Sequence, residues 1–193
     1  MNITAFIIYC VVITFTPGPT NIVILSSVQH FGARKTMKYV YGATIAFGLL
    51  LAASAVLNHV LAGVIPNIVS IMQIIGSVYM LYLAYQIYKM NTGKATPSHN
   101  TNFLSGLVMQ FVNPKVIIFT LTVIPSYVMP YYSSSLASFQ FVAIITVIGF
   151  LAFMTWVICG TVFKKFLQQH QKIVNVLMAL FLVYSAIMAS GII

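Results

Sequence analysis

The sequence predicts an all-α integral membrane protein with six transmembrane helices. Three observations support this fold class: 61% of the 193 residues are hydrophobic, Asp and Glu are absent, and the nine Lys and Arg residues fall almost wholly between long apolar runs. A chain of this composition lacks the polar surface that a water-soluble globular protein needs. Residues 1–193 are therefore expected to form a single membrane domain.

The six helices follow from the lengths of the apolar runs. The hydrocarbon core of a bilayer is about 30 Å thick, so a spanning helix needs about 20 residues at about 1.5 Å rise each. The runs are continuous and show no alternation of polar and apolar positions, which favours helices over a transmembrane barrel. The predicted helices cover residues 3–27, 39–62, 68–88, 103–127, 136–163 and 173–193.

The basic residues predict the orientation of these helices. They lie in or beside the first, third and fifth gaps, whereas the second and fourth gaps hold none. These residues are Arg34, Lys35, Lys38, Lys89, Lys94, Lys164, Lys165 and Lys172. Short loops rich in Lys and Arg stay on the cytoplasmic side of a membrane, so both termini are expected on the outer side.

The net charge of +9 is explained by membrane lipid rather than by nucleic acid. The charges are dispersed over three short loops, where anionic lipid of the inner leaflet attracts them. No nucleic-acid partner, metal or cofactor is expected. Cys10 and Cys159 lie within apolar runs without a CxxC pair, and we interpret them as packing residues.

One cation falls inside a predicted helix. Lys115 lies about 18 Å along the fourth helix, near the middle of the bilayer, where a charge costs roughly 2.5 to 3.5 kcal/mol on insertion scales. The chain offers no side-chain carboxylate to pair with it. A lysine that reaches the headgroups, or one that desolvation holds neutral, is one interpretation. The interpretation we favour is a site whose counter-ion arrives with the ligand.

Prolines predict that two helices are broken. A proline inside a helix frees the carbonyl four residues before it and drives the preceding residue from helical dihedrals. Pro17 and Pro19 flank Gly18, which favours a full break, whereas a lone proline such as Pro114 more often produces a simple kink. The carbonyls expected to be freed belong to Ile13, Phe15 and Gln110.

The two breaks together predict a site for an anion. Helices that restart at Pro19 and Pro114 place proline at the favoured first position, and Asn113 is a suitable N-cap for the second. One half-helix runs inward and the other outward, so their positive ends are expected to meet near the midplane. In lipid, irregular backbone is tolerated only where protein buries it or where it lines a cavity.

The chain shows weak signs of two inverted repeats, about residues 1–92 and 100–193. The breaks occupy the first helix of each half, and Gly48 and Gly149 correspond in the second. Three helices per half would make the halves antiparallel in the membrane, as in many transporters whose interrupted helices mark the binding site. The stretch 90–102, with Gly93 and Pro97, is predicted to be the linker between the halves.

Two motifs resemble those of the LysE/RhtB amino-acid exporters. The first is Phe15-Thr16-Pro17-Gly18-Pro19-Thr20-Asn21, followed by Leu25-Ser26-Ser27 and Gly32-Ala33-Arg34. The second is Gln110-Phe111-Val112-Asn113-Pro114-Lys115. The segment that continues to Ser126-Tyr127-Val128-Met129-Pro130 is most similar to family members that export cysteine and O-acetylserine. The resemblance covers essentially the whole chain.

This resemblance implies a multi-pass carrier of the bacterial inner membrane that exports small amino acids, with cysteine and O-acetylserine as the first expectation. Homoserine, threonine or leucine are alternative substrates, and a homo-oligomer is compatible with the family. Thr20 stands where the family commonly has Asn, which puts amine recognition or substrate choice in doubt. Without Asp or Glu, a carboxylate proton relay cannot operate, and metal export is disfavoured.

We therefore expect a substrate site at the two breaks. Lys115 and the half-helix N-termini would hold the substrate carboxylate, while side-chain amides and freed carbonyls would accept hydrogen bonds from its ammonium group. The predicted binding residues are Thr16, Gly18, Asn21, Gln110, Asn113 and Lys115, with Pro17, Pro19 and Pro114 as the helix-breaking residues. Alternating access would rock one half against the other, with Gly42, Gly48, Gly76 and Gly149 allowing close helix contacts.

Two other classes of protein are alternatives to a carrier: an enzyme, and a channel or scaffold. Membrane phosphotransferases and metalloproteases need Asp or Glu for metal binding or general-base catalysis, and the chain has neither. No His cluster lies at depth and no Gly-x-Ser-x-Gly elbow occurs, so an enzyme is disfavoured and no catalytic residue is expected. A channel or a scaffolding helix bundle is the remaining rival, which saturable exchange of substrate would separate from a carrier.

Overall fold

The computed structural model describes residues 1–89, 102–132 and 134–189, and the side chains of these residues other than 58–73 and 189. This part of the chain is almost entirely helical and contains no strands, as predicted. The predicted linker between the halves lies outside the described residues except for Asn102, which caps the helix that follows it.

Eight α-helices and one π-helical turn form the described structure. They are α1 (Ile3–Phe15), α2 (Pro19–Phe31), α3 (Ala33–Lys89), α4 (Phe103–Val112), α5 (Pro114–Val123), the π-helical turn (Ile124–Val128), α6 (Ser135–Val162), α7 (Lys164–Gln169) and α8 (Gln171–Ala189).

Both predicted breaks are present, and each divides one apolar run into two helices. The axes of α1 and α2 meet at 50°, and those of α4 and the segment beginning at Pro114 meet at 70°. Pro19 and Pro114 begin their helices, as expected from the fixed φ of proline. The lone Pro114 therefore terminates one helix and starts another, as predicted for the fourth span, rather than producing the simple kink that is more usual for a lone proline.

Several helices of the described chain are long and apolar enough to cross a membrane. Ala33–Leu57, Ser135–Val162 and Gln171–Met188 each meet that criterion alone, and each bent pair meets it as a single span. Large apolar side chains cover the outward faces of these helices, for example Leu49, Val147 and Leu180. Such a surface is stable against lipid and unfavourable against water.

The boundaries near the basic residues differ from the predicted ones. The first run continues to Phe31, and α3 already begins at Ala33, so Arg34, Lys35 and Lys38 lie on a helix rather than in a loop. Only Gly32 separates α2 from α3, and its positive φ of 83° is readily adopted by glycine alone. The predicted gap after α6 likewise contains the short helix α7.

The predicted second and third helices belong to one continuous helical segment, α3. The predicted gap between them, residues 63–67, is helical in backbone. A straight helix of this length would extend about 85 Å. Tyr39 and Val40 near its start nevertheless share one hydrophobic cluster with Leu83 and Ile87 near its end. The segment therefore has two arms that lie side by side, residues 33–57 and residues 74–89.

Glycines bring the helices of the two halves into close contact. Gly42 on α3 faces the backbone of Phe103, and Gly106 on α4 faces the backbone of Tyr39, so α3 and α4 cross with no side chain between them. Gly76 on the second arm likewise faces the carbonyl of Val112. Gly42 and Gly76 thus make the close helix contacts predicted for them, and Gly106 makes another of the same kind.

Hydrogen bonds of glutamine and histidine side chains connect the C-terminal end of α2 to α7 and α8. Gln29 Nε2 donates to the carbonyl of Leu167 at 3.1 Å, and Gln168 Nε2 donates to the carbonyl of Gln29 at 3.3 Å. His30 Nε2 lies 2.8 Å from Gln171 Nε2, and His30 Nδ1 lies 2.8 Å from the carbonyl of Ser26. His30 thus lies in the last turn of α2.

Candidate functional site

The first break is an extended stretch between α1 and α2. Thr16 leaves the helix at φ −61° and ψ 146°, and Gly18 is fully extended at φ −164° and ψ 172°. Among the described residues, no side chain caps the start of α2. Since Pro19 has no N–H, the uncapped amides at this helix end are those of Thr20 and Asn21.

Side chains of the break itself, of α2 and of α6 donate hydrogen bonds to the carbonyls at this break. Asn21 Nδ2 donates to the carbonyls of Thr14 at 3.1 Å and Thr16 at 2.9 Å. Thr16 Oγ1 donates to the carbonyl of Ile13 at 3.0 Å, and Trp156 Nε1 on α6 donates to that of Phe15 at 3.2 Å. The carbonyls that we expected to be freed for a substrate ammonium group, those of Ile13 and Phe15, therefore already accept hydrogen bonds within the protein.

The second break is capped by its own residue. Asn113 Oδ1 accepts a hydrogen bond from the backbone N–H of Lys115 at 3.1 Å, and the carbonyl of Asn113 accepts from the N–H groups of Val116 and Ile117 at 3.0 Å each. Asn113 is thus the N-cap that the sequence predicts. The same capping occupies the first amides of α5, which were expected to help hold the substrate carboxylate.

A buried chain of hydrogen bonds joins the two breaks. Asn113 Nδ2 donates to Thr20 Oγ1 at 3.0 Å, and Thr20 Oγ1 donates to Gln110 Oε1 at 3.1 Å. Gln110 Nε2 in turn lies 3.3 Å from the carbonyl of Ala43 on α3. The hydroxyl of Thr20 suits this position because it accepts one hydrogen bond and donates another. Both polar groups of Gln110 have protein partners, so this residue cross-links the helices.

Lys115 extends from α5 to the first break. Its Nζ lies 2.9 Å from Thr16 Oγ1, 3.1 Å from the carbonyl of Thr16 and 3.4 Å from that of Pro17. The two broken helices are thus joined by an ammonium group as well as by the buried chain. The interpretation in which Lys115 reaches away to the headgroups is therefore wrong for this structure.

Two pockets meet at the breaks and share Gly18, Asn113 and Lys115. One, which we term the aromatic pocket, is walled by Phe47, Phe119 and Phe153 and also lined by Asn21 and Gly149. The other, which we term the α8 pocket, is bounded by Met80 on α3 and by residues of α8. These residues are Phe181, Tyr184, Ser185 and Met188.

Asn21, which lines the aromatic pocket, has a buried acceptor without a partner in the described structure. Its Nδ2 makes the two hydrogen bonds to carbonyls described above, which fixes the orientation of the amide. Its Oδ1 is buried and has no hydrogen-bond partner among the described residues. A buried unpaired acceptor destabilises a protein by about 1 to 3 kcal/mol, which is consistent with an atom that a ligand completes.

The structure thus brings together all nine residues predicted for the site, although not all face a pocket. Gly18, Asn21, Asn113 and Lys115 line the aromatic pocket, whereas Gln110 is fully buried in the cross-link. Thr16 holds the Lys115 ammonium, and Pro17, Pro19 and Pro114 border the α8 pocket. Within the part of the chain that the structure describes, no group of three or more His, Cys, Asp or Glu residues could hold a metal ion.

Residues 11–189 match one protein family, the LysE type translocators. The chain belongs to the LysE family. Membership of this family, together with the apolar helices, identifies the chain as a multi-pass membrane protein. The matched range includes both breaks, Lys115 and the walls of both pockets.

Relatives of this LysE-family protein carry the name cysteine/O-acetylserine efflux protein. One from Klebsiella pneumoniae is 30% identical over 186 residues, which cover 96% of this chain and 95% of the relative. Those from Escherichia coli K12 and Shigella sonnei are each 27% identical with the same coverage. No solved structure matches the chain.

The site residues that come from distant parts of the chain were not predicted from the sequence. Trp156 binds the first break from 141 residues away. Phe47, Phe119 and Phe153 converge on one pocket from α3, α5 and α6. Aromatic residues are common along the whole chain, at 13% of its residues, so no local pattern distinguished these three.

Proposed function

We propose that this LysE-family protein exports small neutral amino acids, with cysteine and O-acetylserine as substrates, across the bacterial inner membrane by alternating access. The observation that carries the proposal is the Lys115 ammonium group at the meeting point of two broken helices, in a chain without any side-chain carboxylate. The names of the relatives supply the substrate class.

The substrate carboxylate would bind at Lys115 and the start of α2. Among the described residues, the oxygen partners of the ammonium group are neutral and belong to Thr16 and Pro17. A carboxylate makes a stronger, charge-assisted hydrogen bond with an ammonium group than a neutral carbonyl does. The uncapped amides of α2 add the positive end of a helix dipole, whereas the amides of α5 are already capped by Asn113.

The substrate ammonium group would bind at Asn21. Its Oδ1 is buried and unpartnered within the described structure, and the residue lines the same pocket as Lys115. A zwitterion placed between the two would therefore satisfy both an unpaired acceptor and a cation without a carboxylate partner. Uncharged walls at Phe47, Phe119 and Phe153 favour a neutral substrate side chain.

Alternating access would use the two pockets in turn. They share Gly18, Asn113 and Lys115, so a ligand at these residues could be reached from either pocket. We infer two inverted repeats of three spans each from the breaks in corresponding helices, and both termini outside from the charge distribution. Lys115 would release Thr16 and Pro17 when the substrate carboxylate replaces them.

Exchange in proteoliposomes tests this proposal. Vesicles loaded with unlabelled cysteine should accumulate labelled O-acetylserine by counterflow, with saturation. Lys115→Ala and Asn113→Ala should abolish the exchange while the protein still inserts and elutes as a single species in detergent. Lys165→Ala, which removes an exposed lysine from α7, should exchange at the wild-type rate.

The outcomes separate the alternatives. Retained exchange by both Lys115→Ala and Asn113→Ala would reject the site. Counterflow driven by threonine, homoserine or leucine but not by cysteine would keep a carrier and change its substrate. Flux without saturation or counterflow would indicate a channel.

A further inference from the structure

We propose that the contact between Phe47 and Gly149 sets the length of the substrate side chain that this carrier accepts. The inference rests on the proposed function and adds a side-chain subsite to it. The subsite is the aromatic pocket beyond Asn21 and Lys115, where the carboxylate and ammonium groups of the substrate bind.

The walls of this subsite are closely packed rings. Phe47 and Phe119 are stacked, with ring centroids 6.0 Å apart and planes inclined by 8°. Both side chains are almost completely buried, and Phe153 completes the wall. Packed rings of this kind have little room to move, so the space they leave is a fixed limit for a ligand.

Gly149 determines where the Phe47 ring lies. A Cβ atom at position 149 would lie 2.6 Å from Phe47 Cε1 and 2.8 Å from its Cδ1, distances that require the ring to shift. Phe119 already covers one face of that ring. Because Phe47 and Gly149 both line the pocket, an added methyl group and the displaced ring would both take space from the subsite.

Gly48 provides a matched control on the same pair of helices. A Cβ there would lie 3.3 Å from the side chain of Thr146, on α6, so it tests the crossing of α3 and α6. Gly48 and Thr146 are not among the residues that line the aromatic pocket. An effect on substrate length is therefore expected at position 149 and not at position 48.

O-Acetylserine and cysteine form a suitable pair of ligands because the acetate ester of O-acetylserine extends further from the α-carbon than the thiol of cysteine does. One methylene group in a pocket is worth about 10- to 200-fold in discrimination. We expect Gly149→Ala to raise the KM for O-acetylserine at least about tenfold relative to that for cysteine. Gly48→Ala should leave the ratio of the two KM values at the wild-type value.

A second variant tests the subsite from the opposite direction. Phe47→Leu removes ring volume and should lower the ratio of the KM for O-acetylserine to that for cysteine. In the double variant with Gly149→Ala, it should restore the wild-type ratio. This variant also gives a result if Gly149→Ala alone fails to fold.

Counterflow with both labelled substrates gives the decisive readout. Equal changes in both KM values for Gly149→Ala, or an unchanged ratio in Phe47→Leu, would overturn the side-chain subsite and leave the proposed exporter intact. Absence of exchange by the wild-type protein with any amino acid would instead reject the proposed function itself.

Discussion

The two broken spans reach similar geometry by different means. At the first break, three residues separate α1 from α2, and the exposed carbonyls are bound by Asn21 and Trp156. At the second, Asn113 alone separates α4 from α5 and caps the following helix with its own side chain. The first break thus depends on tertiary contacts, whereas the second is largely determined by local sequence.

This difference places the open helix end in only one half. The start of α2 follows Gly18, which has no side chain to cap it, and the start of α5 follows Asn113, which does. In the proposed substrate site, the two breaks would therefore have distinct tasks. The first offers amides and the Asn21 acceptor, and the second offers the Lys115 ammonium group.

Replacement of Asn21 should have the largest effect on stability. Asn21→Leu removes two partly buried hydrogen bonds and leaves the carbonyls of Thr14 and Thr16 unsatisfied. This loss outweighs the gain from removing the unpaired Oδ1, so the free energy of unfolding should fall by about 3 kcal/mol. Thermal unfolding in detergent measures this loss. Asn2→Ala, which removes an exposed helix cap at the start of α1, should cost about 1 kcal/mol. Equal losses for the two variants would contradict the dependence of the first break on Asn21.

Replacement of Asn113 should have an intermediate effect. Asn113→Ala removes a helix cap worth about 1 kcal/mol and a buried hydrogen bond to Thr20 of about the same value. Asn102→Ala is the control because Asn102 caps α4 without joining another helix. In the same unfolding assay, Asn113→Ala should be about twice as destabilising. A smaller loss for Asn113→Ala than for Asn102→Ala would show that the link to Thr20 contributes nothing.

Trp156 should have the smallest effect of the three. Trp156→Phe removes the donor to the carbonyl of Phe15 and should lower stability by about 1 kcal/mol. The neighbouring Thr155 bonds only within its own helix, to the carbonyl of Leu151, so Thr155→Ala should be close to neutral. Unfolding should be followed by circular dichroism, because Trp156 is the sole tryptophan and its replacement removes the tryptophan fluorescence signal. Stability unchanged by Trp156→Phe would mean that the first break does not need α6.

Local chemistry made the breaks predictable. Proline fixes φ and lacks an N–H wherever it occurs, so Pro19 and Pro114 mark helix starts without knowledge of the fold. Asn113 was predictable as a cap for the same reason. The boundary at Ala33 was missed because charged residues such as Arg34 and Lys35 favour cytoplasmic loops statistically but form helices readily.

The partners at the site depend on tertiary structure and were not predictable. The carbonyls of Ile13 and Phe15 were expected to face a ligand, yet Thr16 and Trp156 bind them. Thr20 was noted as a departure from the family, but its role in joining Asn113 to Gln110 depends on contacts across about 90 residues. Spacing along a helix does not contain such information.

The attachment of α2 at both ends limits how this helix can move. Near its start, Thr20 is bonded to Asn113 and Gln110, and at its far end Gln29 and His30 are bonded to the region of α7. A rigid rod held at two points cannot tilt about one of them without straining the other. As long as these hydrogen bonds persist, a reorientation of α2 would displace α7 as well, which would couple the basic segment Lys164–Gln169 to the first break, roughly 14 Å away along α2.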